Sequence, residues 1–153
     1  MAQLHLSISD LVGKRLRRIG RVLYQRGSDI DAVDGPLELE VDGRTFLLDG
    51  APDGESLRVR EGAWEDPFKE PLSDENLRYI REHGKWHRID CSQHEHYDTL
   101  VGQELREVGL LENEHRRIAG VRLSTNGRSM WFVVEGDECH VYWAHPIGFF
   151  DVR

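Results

Sequence analysis

The sequence predicts a mainly β chain of α+β type: two tandem β-meanders, each opened by a short helical turn, with a helix-containing connection between them. Three observations carry this. "VDGRTF" (Val41 to Phe46) and "TNGRSM" (Thr125 to Met130) each put an Asp-Gly or Asn-Gly pair between alternating apolar runs, the strongest short-range hairpin signal. "SDLVGKRL" (Ser9 to Leu16) matches "DTLVGQEL" (Asp98 to Leu105) upstream of those hairpins. "DGESLRV" (Asp53 to Val59) matches "EGDECHV" (Glu135 to Val141) downstream, in the same order. The predicted units are residues 1–64, a connecting segment 65–97 and residues 98–153. A lone unit of ~50 residues would be marginal, so the two are expected to share a core or to pack face to face.

In the first unit a Ser or Asp caps a helical turn that Gly13 ends, and a strand follows through Leu16, Ile19 and Val22. Period-two alternation then turns Leu37, Leu39 and Val41 inward, with Phe46 and Leu48 beyond the turn and Leu57 and Val59 on the last strand. Asp42-Gly43 suits a type I′ turn, which needs positive φ at both central positions. In the connection, Ser73 reads as a helix N-cap with Asp74 and Glu75 in the first turn. Leu77, Tyr79 and Ile80 form an apolar edge, and Gly84 ends the helix. "KWHRIDC" alternates and reads as a further strand. In the second unit Asp or Thr caps the turn ended by Gly102, and Leu105, Val108 and Leu110 follow. Val121 and Leu123, then Met130, Phe132 and Val134, then Cys139 and Val141 are expected to face the core. Trp131 and Val133 should then face out.

The formal net charge is -8 and the pI about 5.5, which speaks against general nucleic-acid or anionic-membrane binding and suits a basic partner. The charge is uneven. Lys14, Arg15, Arg17, Arg18, Arg21 and Arg26 make the first strand basic, and an acidic run from Asp29 to Glu55 follows. Cross-strand pairing of solvated side chains is the plainest account. The sharper one is an acidic docking face. Glu38 and Glu40 alternate out of the strand, Asp42 sits at the turn tip, and Asp31 and Asp34 join them, with an exposed Trp131 as the expected hot spot. The opening "MAQLHLSISD" has no charged, apolar leader pattern and no run approaches a membrane span, so the sequence-based expectation is a cytoplasmic protein with reduced Cys91 and Cys139.

The densest group of ligand-type residues is "CSQHEH", with Cys91, His94 and His96. Zinc sites usually draw ligands from separated pairs, and these three are crowded into one segment without CxxC or HExxH. The expectation is therefore no metal and no cofactor, with a metal or Cys/His enzyme centred on Cys91, His94 and His96 as the competing reading. No phosphate-loop, dinucleotide or nucleophile-elbow motif is present, and with eight histidines some Cys–His match is bound to occur, so no catalytic residue is assigned.

With its paired "LVG…DGR…DGE" and "LVG…NGR…EGD" meanders and its acidic run, the chain resembles the small acidic single-domain immunity proteins that bacteria encode beside polymorphic toxins. The resemblance lies in architecture and composition, covers most of the chain and carries no binding residue over. It implies a protein that binds a cognate toxin, a basic domain, and blocks its active site or substrate groove. It implies no nucleic-acid or membrane partner.

Overall fold

The computed structural model describes residues 8–152. The outermost ends of the first and last predicted units, residues 1–7 and 153, lie outside the described residues. The chain is mainly β, in two antiparallel sheets. β1 (Leu16–Arg26), β2 (Asp29–Ile30), β3 (Leu37–Val41), β4 (Arg44–Gly50) and β5 (Leu57–Glu61) precede helix α1 (Asp74–His83). β6 (Lys85–Asp90), β7 (Glu107–Glu112), β8 (Ile118–Thr125), β9 (Arg128–Glu135), β10 (Glu138–Tyr142) and β11 (Phe150–Asp151) follow. The first sheet runs β2-β1-β3-β4-β5, with β6 also paired to β1. The second runs β10-β9-β8-β7-β11. Within them β1-β3-β4-β5 and β7-β8-β9-β10 are both meanders.

The predicted turns fall where the sequence put them, but their geometry differs. Val41 pairs with Arg44, and both Asp42 (φ 44°) and Gly43 (φ 82°) take positive φ, as a type I′ turn requires. Thr125 pairs with Arg128, but there only Gly127 (φ 88°) is in that region, so the second turn is not type I′. The segments matched at "LVG" meet each other. Gly13 N–H donates to Leu105 O (2.8 Å) and Gly102 N–H to Leu16 O (2.7 Å). Leu105 N–H donates to Lys14 O (2.8 Å) and Leu16 N–H to Gln103 O (2.9 Å). Each bond has its counterpart with the segments exchanged, and Arg15 bridges Glu104 at the centre. The caps differ from expectation. The short 3-10 turn Tyr97–Thr99 has His96 at its N-cap with no side-chain bond, and Asp98 and Thr99 lie inside the turn.

One apolar core joins the two sheets. Leu16, Ile19, Leu37, Leu39, Phe46 and Leu48 from the first pack in the same cluster as Leu105, Val121, Leu123, Met130, Phe132 and Val134 from the second. Val108 and Val141 are only partly buried against it. Two expectations fail on β1, one for Val22 and one for Arg21. Its register against β3 shifts between Leu16 and Arg18, so Ile19 and Arg21 share the face of Leu39 and Leu37. Val22 is buried on the other face, outside this core, and Arg21, counted as a solvated basic residue, is only 3% exposed. Val133 was expected to face out. It does leave the main core, but it is fully buried in a second cluster with Leu111, Ala119 and Phe149, because the C-terminal segment folds back over that face and pairs β11 with β7.

The connection behaves as its sequence indicates. Ser73 Oγ accepts the Asn76 N–H (3.1 Å), Gly84 closes α1, and β6 pairs with β1 from Gly20 opposite Asp90 to Gln25 opposite Lys85. Among the described residues no helix is long and apolar enough to cross a membrane.

Candidate functional site

The acidic residues do not assemble into one face. Glu38 leaves the core side of β3, as alternation requires, but it is 7% exposed rather than free. Its carboxylate accepts from the Arg88 Nε (2.9 Å) and from the Trp64 N–H (2.8 Å). Glu40 is half-buried with Arg18 opposite it in register, and Asp42 pairs with Arg17 (3.5 Å) and caps the Arg15 N–H. Asp31 and Asp34 lie before β3 and Asp42 after it. A five-residue strand at ~3.3 Å per residue separates them. Asp31 Oδ1 accepts the Val33 N–H (3.0 Å), and Asp34 Oδ1 accepts the Cys139 N–H from the other sheet (2.7 Å). Arg44–Glu61 (2.8 Å) and Arg58–Asp49 (2.9 Å) extend the same cross-strand pattern, so basic and acidic strands neutralise one another across the sheet. Trp131 is on the opposite sheet from these carboxylates. It packs in the second cluster, and its indole N–H is buried without a partner.

Cys91, His94 and His96 are placed apart in character as well as direction. Cys91 is buried, and its thiol lies 3.6 Å from the Ile89 carbonyl. His94 and His96 are exposed, and His96 stacks on Trp143 at 5.1 Å. Among the described residues no three His, Cys, Asp or Glu side chains gather as a metal set. Burial pushes the Cys91 thiol up, against a lowering by Arg21, and burial with the nearby Asp34 carboxylate pushes Cys139 up to about 12. A thiol held there is almost entirely protonated at neutral pH, so it is a poor nucleophile. Both thiols are accordingly expected to react slowly with a disulfide reagent at pH 8 in the folded protein and at free-cysteine rates in urea. A fast native phase for Cys139 would contradict its burial.

Around Arg21 the two sheets and the connecting segment converge. The guanidinium reaches inward from β1, where the bulge has turned it. Nη1 donates to the Tyr97 hydroxyl (3.2 Å), and Nη2 is shared among the carbonyls of Val33 (3.2 Å), Gly35 (2.9 Å) and Cys139 (3.3 Å). One side chain thus ties together the loop before β3, the turn before β7 and strand β10. Nε is buried and has no partner. All these acceptors are neutral, and no ion pair to Arg21 forms among the described residues. A cleft of about 320 Å³ opens beside it, lined by Arg21, Val33, Tyr97, His140, Tyr142 and Trp143 among others. Tyr97 meets Trp143 edge to face at 5.0 Å, fixing both rings. Burial raises the Tyr97 phenol. At the rim, His140 sits between two carboxylates, Glu135 (2.9 Å) and Glu138 (3.0 Å), and the Tyr142 hydroxyl donates to Glu135 (2.7 Å). That bond pushes the Tyr142 phenol up to about 12. Burial raises the Glu135 carboxyl, but the bonds from Tyr142 and His140 outweigh it and leave it below its ordinary range.

Comparison with protein-family models, with curated proteins and with solved structures gave no match. The sequence reading missed the Arg21 cleft. Its only sequence signal is that Arg21 lies between Ile19 and Leu23 at period two, a reading that holds only after the bulge at Leu16 to Arg18 is known.

Proposed function

We propose that this chain is a protein-binding module of the immunity type, which docks a basic partner such as a toxin domain in the cytoplasm. The observation that carries the reading is the surface formed by α1 and β6. No residue of α1 is buried, and Leu77 (43%), Tyr79 (51%) and Trp86 (38%) are exposed there. The aromatics are contiguous rather than scattered. Phe68 lies 5.8 Å from Tyr79, Tyr24 lies 5.3 Å from Trp86, and the Tyr24 hydroxyl donates to the His83 carbonyl between them. β6 pairs with β1 alone among the described strands, which leaves its second edge free to take a partner's strand. Exposed Tyr and Trp side chains are the residues that carry interface energy, since they bury much area at little entropic cost. The net charge of -8 supplies long-range attraction to a basic partner and works mainly through association rate. This reading moves the docking surface from the acidic run to the connecting segment, because Glu38, Glu40 and Asp42 already face cations of their own chain.

The test is binding to the product of a neighbouring toxin-like reading frame, followed by surface plasmon resonance. Tyr79→Ala with Trp86→Ala is expected to weaken affinity by about a hundredfold or more, mostly through dissociation, if each behaves as an interface anchor. Glu40→Lys should change the association rate only. If the neighbour does not bind, the immunity reading fails. If it binds equally well to the double variant, the docking surface is wrong.

A further inference from the structure

We propose that the cleft beside Arg21 is a binding site for a carboxylate carried on a flat apolar body, with Arg21 as the charge that selects it. The inference does not rest on the docking surface above. Burying a guanidinium costs several kcal/mol unless an anion or a full set of hydrogen bonds compensates it. Arg21 is 3% exposed, and the bonds it makes go to three carbonyls and a phenol. These satisfy its protons in part and bring no counter-charge. Nε is still without a partner. The acidic residue on the same loop, Asp34, is turned to the Cys139 amide instead. A single positive charge is therefore left beside an open cavity of about 320 Å³, many times the ~30 Å³ share of one water.

The walls say what the anion is attached to. Trp143, Tyr142 and Val33 are flat or apolar, and Trp143 is braced by His96 on its face and Tyr97 at its edge. Sites of this kind take an apolar body between aromatic walls and fix it with a few polar groups. Two donors beyond Arg21 are available. The Tyr97 oxygen accepts from Arg21, so its own hydrogen is free to donate to a ligand. The Cys139 N–H and C=O point away from β9, toward Asp34, Gly35 and Arg21. Antiparallel alternation points the Val141 N–H the same way, and Val141 lines the cleft. One cation with two neutral donors matches a singly charged carboxylate. A phosphate dianion would call for more positive charge than the cleft holds.

The experiment is a ¹H–¹⁵N NMR titration of the full chain with benzoate, with benzamide as the uncharged counterpart. Two matched hexapeptides ending in phenylalanine, one with a free C-terminus and one amidated, separate a small-molecule source of the carboxylate from a chain end. Benzoate or the free-ended peptide is expected to move the Arg21 Nε–H, Trp143 indole and Val141 amide signals together, and the amide counterparts are not. Tyr97→Phe, which keeps the ring packing, should weaken that binding about tenfold, the loss of one hydrogen bond to a charged group. Arg21→Met should abolish it, and Tyr97→Phe keeps the proposal testable if that variant does not fold. No shift with either carboxylate, equal shifts with the amides, or full affinity in Tyr97→Phe overturns the proposal.

Discussion

Replacing Phe132 by alanine is expected to remove about 3–5 kcal/mol of stability, the usual cost of truncating a buried phenylalanine. Phe132 is fully buried on the interior strand β9, opposite Val121 on one side and Val141 on the other. Its ring sits in the cluster shared by both sheets, beside residues such as Leu39 and Leu123 that are equally buried. Elements on both sides are held by their own hydrogen bonds, so the space has little room to collapse and the cavity cost adds to the lost transfer energy. A domain of this size has only about 5–15 kcal/mol in total. Urea unfolding should show a large fall in midpoint with an unchanged slope. Leu39→Ala and Leu123→Ala should each lose about 2–5 kcal/mol by the same argument. A Phe132→Ala loss below about 1 kcal/mol would mean that the two sheets do not share their core.

What could be read from the sequence is local. Hairpins at Asp42-Gly43 and Asn126-Gly127, the inward sets from Leu37 to Leu48 and from Val121 to Val134, the Ser73 cap and the Gly84 stop depend on neighbours a few residues apart. They were found where expected. Period-two reading failed where an irregularity or a distant segment intervened. The bulge after Leu16 shifts the phase of β1 and turns Arg21 inward, and alternation cannot announce a bulge. Val133 is buried because Phe149 returns over it from further along the chain. Glu38 is buried because Trp64 and Arg88, from outside its sheet neighbours in sequence, close over it.

The candidate sites were less legible than the fold for the same reason. Asp31, Asp34, Glu38, Glu40 and Asp42 are close in sequence, but β3 separates Asp31 and Asp34 from Asp42, and all but Glu40 are bonded within the chain. Cys91, His94 and His96 are closer still, and yet one is buried and the other two face water. The Arg21 cleft draws on residues from β1, the loop before β3, the turn at Tyr97 and the end of β10, and no local pattern joins them.

Gly35→Ala is expected to destabilise the fold by about 3 kcal/mol or more, at or beyond the upper end of ordinary overpacking. A Cβ at Gly35 would stand 1.8 Å from the Val22 carbonyl oxygen and 3.0 Å from its carbon, a clash with backbone of β1 rather than with a side chain that can turn away. The loop cannot retreat without breaking bonds. Its neighbour Pro36 accepts the Val22 N–H (3.0 Å), and the Gly35 N–H donates to Cys139 O (3.1 Å). Moving the loop also withdraws the Gly35 carbonyl that accepts from Arg21 at 2.9 Å, so a buried guanidinium loses a partner in the same step. The substitution should therefore act on stability and on the cleft together. The unfolding midpoint should fall, and the Arg21 Nε–H signal should move or broaden even where the chain remains folded. Gly43→Ala, at the exposed turn where a Cβ meets nothing within 4 Å, carries only the cost of positive φ, about 1 kcal/mol, and should leave the Arg21 signal in place. Equal losses in the two variants, or a Gly35→Ala protein with an unshifted midpoint, would show that the close approach of this loop to β1 is not what holds Arg21 in the cleft.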